Sequence, residues 1–196
     1  MNAPAKAAGQ IGSGLWTADQ FLEFYMSRPD EERWQLVDGL AMMMVSPTRP
    51  HQKIAKNLIF LLEPCLLEAR SDLETLWEMG VRVPGISDFN PQPDLLVVEA
   101  DASFERYADR FFLAAEILSP SNPTEMISRK IELYQRHPDN LYCLTIAQDE
   151  VRVRLWARET DWQMTELTSL DDKLRLPAFG FDVKLSEIYR GTSLAA

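Results

Sequence analysis

Two short apolar segments near the middle of the chain constrain its fold more than any other feature. Residues 94–99 and 111–118 are rich in Leu, Val and Ala, and each has the length of a strand. A strand that is apolar on both sides needs cover on both faces of its sheet. The two segments therefore predict central strands of a sheet that helices flank.

Helix signals lie on both sides of this centre. Asn122 has the properties of an N-cap, and Pro123 suits the first helical position that follows it. Pro64 falls inside a long amphipathic segment, where it would bend a helix. The predicted helices cover residues 17–29 (opened by a capping box), 51–70, 122–137 and 185–189.

The remaining apolar segments predict further strands. Asp38-Gly39 is a strong hairpin signal between two of them. The predicted strands cover residues 33–37, 41–45, 73–83, 141–147, 151–157 and 162–167. Because several strands follow one another without a helix between them, the order does not suit a strict doubly wound fold. It predicts an α/β (α+β) fold with a mixed central sheet flanked by helices.

Length and composition predict one domain. The 196 residues can form a domain over residues 15–190, with a disordered N-terminal tail at 1–14 and a C-terminal tail at 191–196. No apolar run approaches the ~20 residues that cross a bilayer, so we expect a cytoplasmic protein. Cys65 and Cys143 lie among apolar neighbours and are expected to be buried, reduced thiols.

The formal net charge of −10 bears on possible partners. It argues against a large, non-specific nucleic-acid surface, because phosphate binding depends on Lys and Arg. A small local basic patch remains compatible with this net charge. Arg49, Lys53 and Lys56 would form a positive strip at the start of the long helix.

Two acids are unusual for their surroundings. Asp94 begins an otherwise apolar strand, and Glu116 has only apolar neighbours in the other. A buried carboxylate is costly unless it is paired, hydrogen-bonded or bound to a metal. If the strands pair as neighbours, the two carboxylates would converge as a typical oxygen site for Mg²⁺. Asp94 could also be a turn residue after Pro93.

Lys130 is a third charged residue in apolar surroundings. Helical spacing places it near the middle of an apolar face formed by Ile127, Ile131 and Tyr134. A lysine that points inward needs an anionic partner, which Asp94 and Glu116 or a phosphate would supply. Two structural alternatives remain open: a buried ion pair with Glu116, or a Lys130 side chain that extends along the apolar face to reach water.

These segments together resemble the Uma2 (DUF820) family over roughly residues 17–189. The resemblance lies in residues 33–39, in Ser46-Pro47 with His51, in the segment 93–98, and in the Glu-Ile-Leu-Ser-Pro-Ser segment at 116–121. Lys130 and Tyr134 follow that last segment at the family's spacing. The family is similar to the PD-(D/E)XK restriction-endonuclease superfamily, in which the lysine usually lies two residues after the glutamate. Here Leu118 takes that position, and Lys130 matches the lysine that Uma2 proteins carry on the next helix.

The resemblance implies a metal-dependent endonuclease that hydrolyses phosphodiester bonds in DNA. It implies that Asp94, Glu116 and the backbone carbonyl of Ile117 hold Mg²⁺ or Mn²⁺, and that Lys130 orients water or stabilises developing charge. It also implies a catalytic-site position for Gln35 and substrate contacts for His51 and Tyr134.

Two positions depart from the family pattern. Gln35 replaces the usual Glu, and Met126 lies near the place of a usual Asp. A neutral amide adds no charge for a metal, so these departures support an alternative. The chain would then be a catalytically degenerate nuclease-fold module that acts through protein association, as a homodimer.

Overall fold

The computed structural model describes residues 15–29, 31–103, 107–120 and 122–195, so the predicted tail at 1–14 lies outside the described residues. Four α-helices and twelve strands make up the described structure. The helices are α1 (Ala18–Met26), α2 (Arg49–Ala69), α3 (Thr124–Gln135) and α4 (Leu185–Ile188). None of the helices within these ranges is long and apolar enough to cross a membrane.

Six strands form the central sheet. It contains β3 (Leu73–Leu76), β5 (Leu95–Glu99), β7 (Leu113–Leu118), β8 (Tyr142–Ala147), β9 (Val153–Ala157) and β10 (Met164–Leu167). Their order is β10-β9-β8-β7-β5-β3. The β7–β8 pair is parallel and the other pairs are antiparallel. The predicted mixed sheet flanked by helices is therefore confirmed.

The other strands form three two-stranded units. The units are β1 (Trp34–Val37) with β2 (Leu40–Met43), β4 (Gly80–Val81) with β6 (Tyr107–Ala108), and β11 (Lys173–Leu176) with β12 (Phe181–Lys184). The first is the predicted hairpin. Asp38 and Gly39 both have positive φ, 48° and 73°, which a two-residue type I′ turn requires.

Side chains of each central strand alternate between two cores. Leu95 and Val97 of β5 pack with Leu58 in one cluster, on the face that α2 covers. Leu96 of β5 packs with Tyr134 in the other cluster, on the face that α3 covers. Both faces of β5 and β7 are therefore buried, as their apolar sequences predict.

One predicted strand is divided. The segment 73–83 forms β3 in the central sheet and β4 beside β6, with a break between them. Glu78 in this break has a φ of 56°, which is incompatible with a continuous strand. The Glu78 carboxylate binds the Arg33 guanidinium, so a long-range ion pair accompanies the turn.

Three further details differ from the sequence-based expectations. Pro123, and not Asn122, is the N-cap of α3. The Asn122 Oδ1 accepts instead from the Ser119 N–H at 2.5 Å and from its hydroxyl at 3.0 Å. The β11–β12 hairpin was not predicted, although its Leu174 and Leu176 alternate with exposed residues. Cys143 is buried as expected, Cys65 is only half-buried, and both are free thiols.

Candidate functional site

The β5–β7 register brings two carboxylates to one place. Leu95 pairs with Ala115, and the Asp94 N–H donates to the Ala115 carbonyl at 3.0 Å. Asp94 lies in a bend just before β5, and its carboxylate accepts from the N–H of Ile117, the residue after Glu116. Glu116 contacts α3, and the Asp94 charge acts on both Glu116 and Tyr134. The two acids are therefore neighbours at the edge of the cluster that α3 covers.

Glu116 is surrounded by donors from α3. The Lys130 Nζ lies 2.8 Å from each Glu116 carboxylate oxygen, and the Tyr134 hydroxyl donates to Oε1 at 2.6 Å. Lys130 is only 2% exposed and Glu116 only 5% exposed. Lys130 therefore does not extend to water. Lys130 and Tyr134 can both donate to Glu116 because residues i and i+4 lie on the same face of a helix.

Burial dominates the electrostatics of this cluster. Burial raises the pKa of Glu116, the Lys130 charge opposes that rise, and the nearby Asp94 charge adds to it. Burial and the Glu116 charge raise the pKa of Tyr134 well above its ordinary value. Tyr134 therefore remains a protonated donor near neutral pH.

Asp94 is held at both oxygens and keeps some access to solvent. The Ile117 N–H donates to Oδ2 at 2.6 Å, and the His51 Nε2 lies 3.1 Å from Oδ1. The Asp94 side chain is 14% exposed and the His51 side chain 13%. His51 belongs to the first turn of α2, which the Thr48 side chain caps. The start of α2 thus reaches the same end of the sheet as Glu116.

Gln35 supplies a buried polar atom without a partner. It is 7% exposed, and its Oε1 accepts no hydrogen bond from any described residue. Along β1 it shares a face with Val37, which packs in the same cluster as Tyr134. An unsatisfied buried oxygen costs free energy, and such an atom in a native fold calls for a ligand or a water.

The structure therefore places most of the sequence-predicted site residues together. Lys130 and Tyr134 contact Glu116, His51 and the Ile117 backbone contact Asp94, and the Asp94 charge acts on Glu116. Gln35 lies on the face of β1 that it shares with Val37, which packs in the cluster of Tyr134. The contact between His51 and Asp94 was not predicted. It joins two segments far apart in the chain, and no local pattern indicates such a contact.

Oxygen donors dominate this cluster, as a hard divalent cation requires. The two carboxylates fit such an ion in chemical type, and the Gln35 amide oxygen on β1, which has no partner among the described residues, is a further oxygen donor. No group of three or more His, Cys, Asp or Glu side chains among the described residues forms a ready-made metal site. Both Glu116 oxygens accept from Lys130, so a cation would have to share Glu116 with the lysine.

A sequence model of the Uma2 family, described as "Putative restriction endonuclease", matches residues 18–186. The chain belongs to the Uma2 family. No curated protein matches the sequence. The Uma2 match includes every strand of the central sheet and every residue of the cluster described above.

A solved structure shares the fold. It is described as a "putative nuclease belonging to DUF820" from Anabaena variabilis ATCC 29413, and it superposes with a TM-score of 0.72 at 15% sequence identity. The match covers 88% of this chain and 97% of that one. This Uma2 chain therefore shares the fold of that DUF820 structure, and both descriptions are those of nucleases.

Proposed function

We propose that this protein is a metal-dependent endonuclease that hydrolyses phosphodiester bonds in DNA. The observation that carries the proposal is the proximity of the Asp94 and Glu116 carboxylates, with the buried Lys130 amine on Glu116. Paired strand carboxylates with an inward lysine suit phosphoryl chemistry, in which positioning and charge stabilisation supply most of the catalysis.

The donor geometry of Asp94 supports a role as a cation ligand. The Ile117 N–H fixes one carboxylate oxygen, while the other faces the more open end of the site beside His51. Since the N–H and C=O of one strand residue point toward the same neighbouring strand, the Ile117 carbonyl is directed toward the strand of Asp94. Mg²⁺ or Mn²⁺ bound by Asp94, Glu116 and this carbonyl would neutralise charge on the scissile phosphate.

Lys130 and Tyr134 have separate tasks in this mechanism. The Lys130 charge opposes the effect of burial on the pKa of Glu116 and so favours the carboxylate form that a cation needs. Its ammonium would also stabilise negative charge that develops on the phosphate. Tyr134 stays protonated and orients Glu116 through its hydroxyl.

Three positive residues lie in the N-terminal part of α2, the helix that carries His51. Lys53 donates to the Gly191 carbonyl, and the Lys56 ammonium lies 5.4 Å from the centre of the Phe60 ring. Neither forms an ion pair with a carboxylate among the described residues. Arg49 lies in the same first turn as His51. We propose that this strip contacts the DNA backbone, with His51 beside the scissile phosphate.

A second candidate function follows from the neutral Gln35 and from the engagement of both Glu116 oxygens by Lys130. The cluster would then serve stability alone, and the chain would act as a nuclease-fold module through self-association. Calorimetry with Mn²⁺ separates the two candidates. Binding that Glu116→Gln abolishes supports the enzyme. Absence of binding, together with a concentration-dependent dimer in sedimentation, supports the module.

Cleavage of plasmid and linear DNA with Mg²⁺ or Mn²⁺ tests the enzyme directly. We expect activity in the wild type, and a loss of at least about 100-fold in Asp94→Asn and in Lys130→Met, the scale typical of removing a charge-stabilising group. Lys173→Met, which changes an exposed lysine on β11, is the matched control and should keep full activity. Equal cleavage by all four proteins would refute the proposal.

A further inference from the structure

A groove of about 470 Å³ lies on the opposite flank of α3 from the candidate site. Ile127 and Ile131 of α3 form one wall, and Trp156 of β9 forms part of the other. Lys130, next to Ile131 in the chain, reaches Glu116 on the other flank of the helix. Volumes of about 300–1,000 Å³ are typical of small-ligand pockets.

The groove is connected to the site through the sheet. Thr145 of β8 lines the groove and is 3% exposed, and it pairs with Glu116 in the parallel β7–β8 ladder. Its neighbour on the other side is Arg154. A ligand in the groove would therefore lie one strand away from the carboxylate that the proposed reaction uses.

The charges of the groove do not suit a phosphate. Its ionisable lining comprises three acids, Glu132, Asp149 and Glu150, and two arginines. Arg152 binds Glu150, and the Arg154 Nε lies 2.6 Å from a Glu166 carboxylate oxygen. Both positive charges are thus already paired, and phosphate recognition needs a surplus of them.

The neutral lining suits a planar aromatic ligand with polar edges. Trp156 is half-buried, so one part of its ring packs on the core and another borders the groove. The Asn122 side-chain oxygen accepts from Ser119, which leaves its amide N–H groups directed elsewhere. Together with the Thr145 hydroxyl and the Gln135 amide, these groups match the donors and acceptors on the edge of a base.

From these observations we infer that the groove binds an unstacked nucleobase of a single-stranded segment, stacked on Trp156. The inference rests on the proposed nuclease function, because that function brings a nucleic-acid strand to the adjacent site. Stacking of a base on an aromatic side chain tolerates every base. The groove would thus anchor the DNA strand without sequence preference, while the phosphates of that strand lie at the candidate site on the other flank of α3.

The experiment measures binding of the full chain to two fluorescent oligonucleotides of equal length without divalent metal. One is single-stranded DNA, and the other carries abasic sites in place of every base. We expect the first to bind about 5- to 150-fold more tightly, the range that one stacked base supplies. Trp156→Ala should remove this difference, and Thr145→Val should reduce it. Trp77→Ala, at a tryptophan that is 60% exposed and does not line the groove, should leave it unchanged.

Because Trp156→Ala removes part of a core contact, Trp156→Phe serves as the second variant, which should keep the fold and most of the base-dependent affinity. Equal binding of both oligonucleotides by the wild type, or an undiminished difference in folded Trp156→Ala, overturns the inference. Cleavage of duplex DNA by the same preparations reports on the proposed function separately. Cleavage without base-dependent binding contradicts only the inference that the groove binds a base. Base-dependent binding without cleavage supports that inference and contradicts the proposed nuclease function.

Discussion

The carboxylate of Glu116 and the amine of Lys130 face each other in the protein interior, with both carboxylate oxygens 2.8 Å from Nζ. The two residues come from β7, which ends at Leu118, and from α3, which begins at Thr124. A buried ion pair is a weak source of net stability, although removal of one partner is severe. The fold therefore depends on the presence of both partners more than on the net energy of the pair.

Loss of the lysine should destabilise the fold in a pH-dependent way. Lys130→Met leaves Glu116 buried without its counter-charge, and we expect a loss of about 3–5 kcal/mol near pH 7. Burial raises the pKa of Glu116, so the folded variant takes up a proton more readily than the unfolded chain, and the loss should shrink as pH falls. Urea unfolding of the wild type and the variant between pH 4 and pH 8 measures this loss of stability. The double variant Lys130→Met/Glu116→Gln should recover part of the loss, and a pH-independent loss below about 1 kcal/mol would contradict this account.

A carboxylate at position 35 should strengthen cation binding. Gln35→Glu places a third acid on the face of β1 that packs toward the cluster of Tyr134, where the amide oxygen of Gln35 has no partner among the described residues. We expect the Mn²⁺ affinity to rise about tenfold or more, because additional anionic oxygen ligands favour hard cations. The metal-free variant should be less stable, since it buries an unpaired charge. Thermal unfolding with and without Mn²⁺ measures both effects, and Gln52→Glu, an exposed position on α2, is the control. Unchanged affinity in Gln35→Glu would remove this residue from the site.

His137 should make stability fall in mild acid. Its Nδ1 accepts the Asp139 N–H at 3.2 Å, so the proton lies on Nε2, which donates to the Asp109 carbonyl at 2.7 Å. Burial lowers the pKa of this histidine from 6.5. The unfolded chain therefore binds a proton at this histidine at a higher pH than the folded chain does. The free energy of unfolding should then decline as pH falls below about 6.5. Urea titrations from pH 8 to pH 5 should show this decline in the wild type and a flatter profile in His137→Gln. The same slope in both proteins would assign the effect to other groups.

The β1–β2 turn should not tolerate a side chain at its second position. Gly39 has a φ of +73°, and a Cβ built there would lie 2.9 Å from the Leu15 Cβ. Gly39→Ala should cost about 1–3 kcal/mol from backbone strain and crowding together. Gly85→Ala provides the comparison, since Gly85 has a φ of +80° with no atom within 4 Å of the added Cβ. Chemical denaturation of both variants should show the larger loss for Gly39→Ala, and equal losses would mean that contact with Leu15 contributes nothing.

An ion pair connects the β1–β2 turn to α3. The Asp38 carboxylate lies 2.9 Å from the Arg129 Nε, on the helix that carries Lys130 and Tyr134. Gln35 is on the strand that leads into this turn. A disturbance at Gly39 should therefore reach Gln35 as well as the stability of the hairpin.

Local patterns determined most of the elements in this protein. Apolar runs of strand length, the Asp38-Gly39 turn and the inward position of Lys130 all follow from periodicity and backbone preference, which act over a few residues. The break at Glu78 escaped prediction because its partner Arg33 is remote in the chain. The predicted N-cap role of Asn122 is wrong because its side chain bonds to Ser119 in the preceding loop.

Only the tertiary structure decided which of these residues meet. The pairing of β5 with β7 brought Asp94 to the backbone beside Glu116, and the packing of α2 brought His51 to Asp94. Sequence periodicity gives the face on which a side chain lies but not the strand that will pair with it. Pairing depends on free energies summed over the whole sheet, which no short segment contains.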